Sequence, residues 1–465
     1  MTRTPLALFL AAALAAPGAS AANLTLEQCI AIALNESPDA ASASYEVEAA
    51  SFRKKEAFGG YGPRLHIDAG FQRWDSTYAL PLFGSLKQYC TSCPWNPSVP
   101  QQTAPDGSVI PEIETEALVL RPQWTWSAAA TVAQPIGALW TVREANLLAQ
   151  LGIDVAEIRR RTARRDISYQ VVEAYYRVLE AKRLAEVAQK SVEQVTAQVS
   201  QARIFYESGT VARNDVLRAE LGLAAAEQRL IQAKGGVTLA RGRLATVMGR
   251  EPTADIDVVD LRGEPTVPAP LPAGQAEQLA VERRLELREI AAHIEQAETG
   301  ANLAKSKMLP QVNAVANYTR QTSSLFGLPK TWFVGATASW DIWEGGSTYY
   351  GIDEAKAQLA QARETRRKTE DLIRLDLQGA QVGVTTAAEA LQVARHAVEQ
   401  AEENFRIEQK RYQSASNTSF DVLDAETQLT TARGQHQAAI YDLVIAHSNL
   451  ARAMGEEHPT LKATP

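Results

Sequence analysis

Hydrophobic positions along the chain switch repeatedly between a helical and a strand period, and each switch marks an element. After Thr25, apolar Cys29, Ile30, Ile32 and Ala33 predict a helix to about Glu36, with Thr25 as N-cap and Gln28 placed to complete a capping box. Pro38 restarts the helix, an Ala-rich run continues to about Phe58, and Gly59-Gly60-Tyr61-Gly62-Pro63 stops it. The period then falls to two. Leu65, Ile67, Ala69 and Phe71 alternate with His66, Asp68, Gly70 and Gln72. A second alternating run, Leu118 through Trp124, Trp126 and Val132, follows a Pro-, Ser- and Thr-rich insert at 80–115 and completes a strand hairpin over about 64–133. From about Thr141 to Phe205 a helix of about 95 Å is predicted. Its seam, Ala181, Ala185, Ala188, Val192, Val195, Val199 and Ala202, alternates steps of four and three, the coiled-coil period. Gly209 breaks it, and a second helix to Met248 closes an antiparallel helical hairpin over 141–248.

The order then repeats. Residues 250–276, with five prolines between Pro252 and Pro272, read as a linker. A helix follows from Ala276 to Lys307, then a strand hairpin over about 311–342 and a helical hairpin over 348–454. Tyr206-Glu207-Ser208-Gly209-Thr210 with Asp215-Val216-Leu217-Arg218-Ala219-Glu220 returns 206 residues later as Tyr412-Gln413-Ser414-Ala415-Ser416 with Asp421-Val422-Leu423-Asp424-Ala425-Glu426. Leu244, Ala245, Met248 and Gly249 return in the same phase, so eleven of fifteen registered positions are identical. The chain is a duplication: repeat 1 at 23–249, repeat 2 at 277–455, and a disordered tail at 456–465. Repeat 1 carries about 41 extra residues in its strand hairpin, as an insertion at a loop tip.

Composition adds an address. Arg3 precedes the apolar run Leu6–Ala16 and small residues to Ala22, the layout of a signal peptide over 1–22. Ala22 or Asn23, not Cys, would begin the mature chain, so no lipid anchor is expected. No later stretch has the eighteen apolar residues of a membrane helix, so membrane insertion would use strands. A net charge of -7 argues against a nucleic-acid partner. Four two-faced strands cannot close a barrel alone; two chains give eight and three give twelve. Trp74, Trp124, Trp126, Trp340 and Trp343 sit near strand ends, as an interfacial belt requires. The fold class expected is a mixed α/β membrane protein, an oligomeric outer-membrane β-barrel continuous with a long α-helical coiled-coil tunnel. A secreted coiled-coil stalk or adhesin is the alternative of another class, and it leaves the paired strand hairpins unexplained.

The duplicated Tyr-x-x-Gly/Ala turn with Asp-Val-Leu-x-Ala-Glu after it, the Pro before each first strand, and Trp340-Asp341-Ile342-Trp343-Glu344-Gly345-Gly346 resemble the TolC-like outer-membrane efflux proteins over essentially the whole mature chain. The resemblance implies a homotrimer with a twelve-stranded barrel, four strands per chain. It implies a passive exit channel for a tripartite efflux pump or a type I secretion system, in the Gram-negative outer membrane with a large periplasmic part. Its partners would be outer-membrane lipid, a periplasmic adaptor protein and an inner-membrane transporter of RND or ABC type.

Site residues follow. Asp421 and Asp424, three apart, share one side of a helix, and a trimer would stack them as two carboxylate rings that attract cations. The resemblance assigns them, with Tyr412, to the periplasmic gate; Asn417 stands where the family's arginine lock would be, so closure here is expected to be held differently. Tyr206, Gly209, Thr210 and Asp215 on one tip, with Ala415 and Ser416 on the other, are expected to dock the adaptor. Cys90 and Cys93, in an exported loop, predict a local disulfide rather than half a metal site. Trp124, Trp126, Trp340 and Trp343 are the membrane-interface aromatics. Six scattered His and no phosphate-cradling glycine loop predict no enzyme activity, metal or cofactor.

Overall fold

Thr25 and Gln28 form the expected reciprocal cap: the Gln28 N–H donates to the Thr25 hydroxyl at 3.4 Å, and the Thr25 N–H donates to the Gln28 side chain at 2.9 Å. The computed structural model describes residues 22–80, 101–103, 109–111, 118–259, 273–322, 328–414 and 416–457. The signal segment to residue 21, Cys90, Cys93, Ala415, linker residues 260–272 and the tail from 458 lie outside the described residues.

Repeat 1 contains β1 (Ala22–Leu24), α1 (Leu26–Glu36), α2 (Pro38–Gly59), β2 (Arg64–Arg73), β3 (Tyr78–Leu80), β4 (Gln101–Thr103), β5 (Val109–Pro111), β6 (Leu118–Arg121), β7 (Trp124–Pro135), α3 (Leu139–Glu207) and α4 (Arg213–Val247). After β8 (Ile256–Val258), repeat 2 contains α5 (Ala273–Arg283), α6 (Leu285–Ser306), β9 (Gln311–Gln321), β10 (Lys330–Ser339), α7 (Ser347–Gln413) and α8 (Ser419–Ala453). Three expectations change. The run from Leu118 is two strands, broken at Pro122, which lacks the N–H a ladder needs; β6 turns aside to pair with β3. The helix expected at 276–307 is two helices meeting at Arg284, the counterpart of the α1–α2 break at Ser37. The linker supplies β8, which pairs in parallel with β1.

One unit, residues 53–149 and 298–357, is built on a four-stranded antiparallel sheet in the order β10-β9-β7-β2. The β7–β9 ladder joins the hairpins of the two repeats. Register opposes Phe71 to Trp126, Ile67 to Ala130, Ala130 to Tyr318, and Tyr318 to Trp332, and residues opposed across an antiparallel ladder share a face. The other face carries His66, Asp68, Thr131 and Asn317, whose amide donates to the Thr131 hydroxyl at 2.9 Å. The apolar face is exposed throughout β2. The sheet is therefore greasy on one side and wet on the other, with β2 and β10 at its edges.

The other unit, built from residues up to 52, 150–297 and from 358 on, is helical. Its largest core packs Cys29, Ile30 and Ala33 against Ile167, Val171, Val178, Leu244 and Met248. A second core repeats it as Ala276 and Ala280 against Ile373, Leu377, Val384, Leu450 and Met454. Gly249 and Gly455 end α4 and α8 at φ 79 and 74, where glycine is favoured. A Cβ on Gly249 would lie 2.4 Å from the Glu36 carbonyl oxygen at the α1–α2 break, and one on Gly455 3.0 Å from the Arg283 carbonyl carbon at the α5–α6 break. The duplication thus preserves the same helix-end packing twice. On the predicted seam, Ala188, Val195, Val199 and Ala202 of α3 are buried. Among the described residues, no helix is long and apolar enough to cross a membrane.

Candidate functional site

At the first tip, φ 75 at Gly209 lets the Thr210 N–H reach back to the Phe205 carbonyl at 2.8 Å, while the Gly209 N–H meets the Tyr206 carbonyl at 3.0 Å. This double closure terminates a helix with a left-handed residue. The second tip keeps the long bond, Ser416 N–H to the Arg411 carbonyl at 2.8 Å. Ser208 faces Thr210 at 2.9 Å, and Ser414 faces Ser416 at 3.1 Å. The long closing bond and the hydroxyl pair are thus common to both tips.

Behind the turns the repeats diverge. Tyr206 is 46% exposed, but its counterpart Tyr412 is 1% exposed and packs against Phe205 with ring centroids 5.5 Å apart. Val199, Ala202, Val216, Ala219 and Val422 complete the core around it. The Tyr412 hydroxyl donates to Oδ2 of Asp215 at 2.9 Å. Ser419 donates its backbone N–H to Oδ1 at 3.0 Å, and its hydroxyl lies 2.7 Å from that same oxygen. Asp215, expected at an exposed docking surface, is instead buried and joins both hairpins of one chain. Burial first, and then the bond to Asp215, push the Tyr412 phenol well above its ordinary value.

Asp421, the counterpart of Asp215, has a different environment. Its Oδ2 accepts the Thr418 N–H at 3.0 Å and the Thr418 hydroxyl at 2.8 Å, a capping box at the start of α8. These bonds, the backbone one first, hold its carboxyl below the usual carboxylate range. The residue before α4 is Ala212, which has no hydroxyl to offer. That difference frees Asp215 to turn toward Ser419. Asp424 is exposed and accepts the Gln428 amide at 2.7 Å. Asn417 donates to both the carbonyl and the carboxylate of Glu408, at 3.2 and 2.6 Å. It therefore ties its own turn to α7.

Sequence reasoning missed Ser419 and the pair Ser191–Glu426. The buried Glu426 accepts the Ser191 hydroxyl at 2.5 Å across the repeats, whereas its counterpart Glu220 pairs with Arg203 of its own hairpin at 2.6 Å. Only tertiary approach distinguishes these equivalent acids. Near the tips, Arg218, Leu221, Gly222, Ala225, Phe420 and Leu423 line an open groove, and Phe420 and Leu221 are exposed. Trp124, Trp126, Trp340 and Trp343 are all exposed, and the Trp340 indole donates to the Met308 carbonyl at 3.1 Å. Among the described residues no cluster of His, Cys, Asp and Glu could hold a metal.

Residues 29–250 and 277–456 match the family described as "Outer membrane efflux protein", which covers both repeats and skips the segment between them. The outer membrane efflux protein BepC of Brucella suis is 24% identical over 298 residues, 62% of this chain and 62% of BepC. The chain thus aligns with less than two thirds of that relative's length. The crystal structure of VceC from Vibrio cholerae superimposes with a TM-score of 0.69 at 18% identity, covering 93% of this chain and 96% of VceC. The CmeC outer membrane channel of Campylobacter jejuni gives 0.72 at 16% identity, covering 94% of this chain and 88% of CmeC. At such identities the structures share the fold.

Proposed function

This chain belongs to the outer membrane efflux protein family, and on that premise we propose that it is the passive exit channel of a tripartite efflux system. The sheet carries the proposal: four strands with one apolar face, one polar face and two open edges. In lipid every strand edge must be paired. Three chains, each giving four strands, would close a barrel of twelve with the polar faces around the pore. Exposed Leu372, Leu375, Val382 and Val393 on α7 support the assembly, because a neighbouring chain would cover them.

The hairpin tips would form the periplasmic mouth. Tyr412, Asp215 and Ser419 hold the two hairpins of each chain together, and Asp421 and Asp424 would face the axis as carboxylate rings. The turns at Tyr206, Gly209, Thr210, Ala415 and Ser416, with the groove beside Phe420 and Leu423, would receive the periplasmic adaptor, which links the channel to an inner-membrane transporter. No residue is assigned a catalytic role; the transporter would supply the energy. Native mass spectrometry of protein extracted from outer membranes in detergent tests this reading. A trimer is expected, and a water-soluble monomer or dimer would overturn it.

A further inference from the structure

On the apolar face of the sheet, Arg320 and Lys330 stand directly opposite one another across β9 and β10, and Arg73 stands opposite Trp124 across β2 and β7. Like charges directly opposed on a ladder repel. All three cations are exposed. None has an ion-pair partner among the described residues. The whole hairpin from 311 to 340 contains no Asp or Glu. The Arg73 guanidinium lies 4.9 Å from the centre of the Trp124 ring. The register sets Arg320 opposite Ala128 and Ala128 opposite Ala69, so Arg73 stands further along β2 toward the same end of the face.

Within each hairpin ladder, taken separately, the pairs further in have the same order. One pair further in come aromatics, with Phe71 opposite Trp126 and Tyr318 opposite Trp332. Small and aliphatic pairs follow, such as Ile67 with Ala130 and Ala314 with Ala336, and Trp340 lies beyond the far end. From Lys330 to Trp340 the strand spans about 33 Å, or roughly 25 Å once tilted in a barrel, the thickness of a hydrocarbon layer. The cations occupy only the end of this face next to the interstrand loops, away from the helix connections.

Resting on the barrel reading, we infer that Arg320, Lys330 and Arg73 bind the phosphates of a phosphorylated glycolipid in the outer leaflet. In each ladder the aromatic pair sits next to the cation end, as aromatics do where headgroups meet acyl chains. Phosphate would relieve the repulsion between Arg320 and Lys330, and the acyl chains would cover the small side chains below.

The full-length protein is extracted in detergent, and retained lipid is counted by native mass spectrometry after exposure to bisphosphorylated lipid A or to lipid A stripped of its phosphates. The wild type is expected to retain the phosphorylated form. At about 1 kcal/mol per cation near a charged lipid surface, Arg320→Gln with Lys330→Gln should weaken retention about thirtyfold, and exposed Arg73→Gln alone about fivefold. Single-channel conductance of each variant reports whether the barrel is intact. Conducting trimers that retain phosphorylated and stripped lipid equally, or variants that conduct and retain lipid as the wild type does, overturn the inference. So does displacement by equimolar inorganic phosphate, which would make the site one for the free ion. If the wild type forms no conducting trimer, the barrel reading falls first and this inference with it.

Discussion

The phenol of Tyr412 meets the carboxylate of Asp215 at 2.9 Å, joining the last turn of α7 to the first turn of α4 across 197 residues of chain. Both groups are buried, so the bond is shielded from competing water. Removing the donor with Tyr412→Phe should loosen the link between the hairpins by about 1.5–3 kcal/mol, the range for a hydrogen bond to a charged group. Faster amide exchange at Val216 and Val422, with the rest of α4 and α8 unchanged, is the expected reading.

The same bond predicts an alkaline limit. Burial and Asp215 raise the phenol, so folding favours its protonated form. The stability this contributes is complete below the phenol's ordinary pKa, near 10, and is lost as pH rises through the raised folded value. Thermal unfolding followed from pH 8 upward should show an alkaline fall that Tyr412→Phe diminishes.

Asp421 is held ionised by Thr418. A carboxyl lowered on folding contributes stability above its ordinary value and loses it as pH falls through the folded value. Thr418→Ala should destabilise the start of α8 by about 1 kcal/mol, seen as local exchange at the first turn. Replacing Asp421 and Asp424 together with Ala should reduce cation selectivity in bilayer recordings; an unchanged reversal potential would remove them from the constriction.

Arg165, with a side chain 2% exposed, donates to Glu286 at 2.9 Å and to Asp166 at 2.9 Å. Burial alone would raise the Glu286 carboxyl, but the hydrogen bond and charge of Arg165 outweigh it and leave it below the usual range. Glu286→Gln should cost about 2–3 kcal/mol, less than a fully buried pair because Glu286 is partly exposed. Thermal denaturation at neutral pH measures it, and the difference from wild type should shrink as pH falls through the Glu286 folded value.

Gly249→Ala combines an unfavourable backbone region with a Cβ 2.4 Å from the Glu36 carbonyl. It should destabilise by more than about 2 kcal/mol. Gly236→Ala, in mid-α4 with open space around the added Cβ, should be neutral or stabilising. Comparing the two by thermal unfolding separates backbone demand from generic glycine loss.

Period and repeat made most of the fold legible: the capping box at Thr25, the strand hairpins, and both long helical hairpins lie where alternation and seam steps put them. The break at Arg284 was hidden because no Pro marks it, unlike Pro38 in the other repeat. The candidate site was legible as a place but not as a set of partners. Asp215 and Asp421 occupy equivalent motif positions, yet one is buried under Ser419 and the other caps its own helix. The local part of that difference, Ala212 against Thr418, is written in the sequence; the approach of Ser419 from 204 residues away is not. The pairing of Arg320 with Lys330 was not legible because both stand at strand ends, where alternation gives no register between neighbouring strands.

The central claim is that three of these chains enclose one pore that Tyr412 and Asp215 help to hold shut. Single-channel recording of the purified full-length protein in planar bilayers tests it most directly. The account predicts a small, cation-selective conductance for the wild type and a larger one, at the same trimer mass, for Tyr412→Phe. Absence of any channel current from either protein, or identical conductance in both, would contradict it.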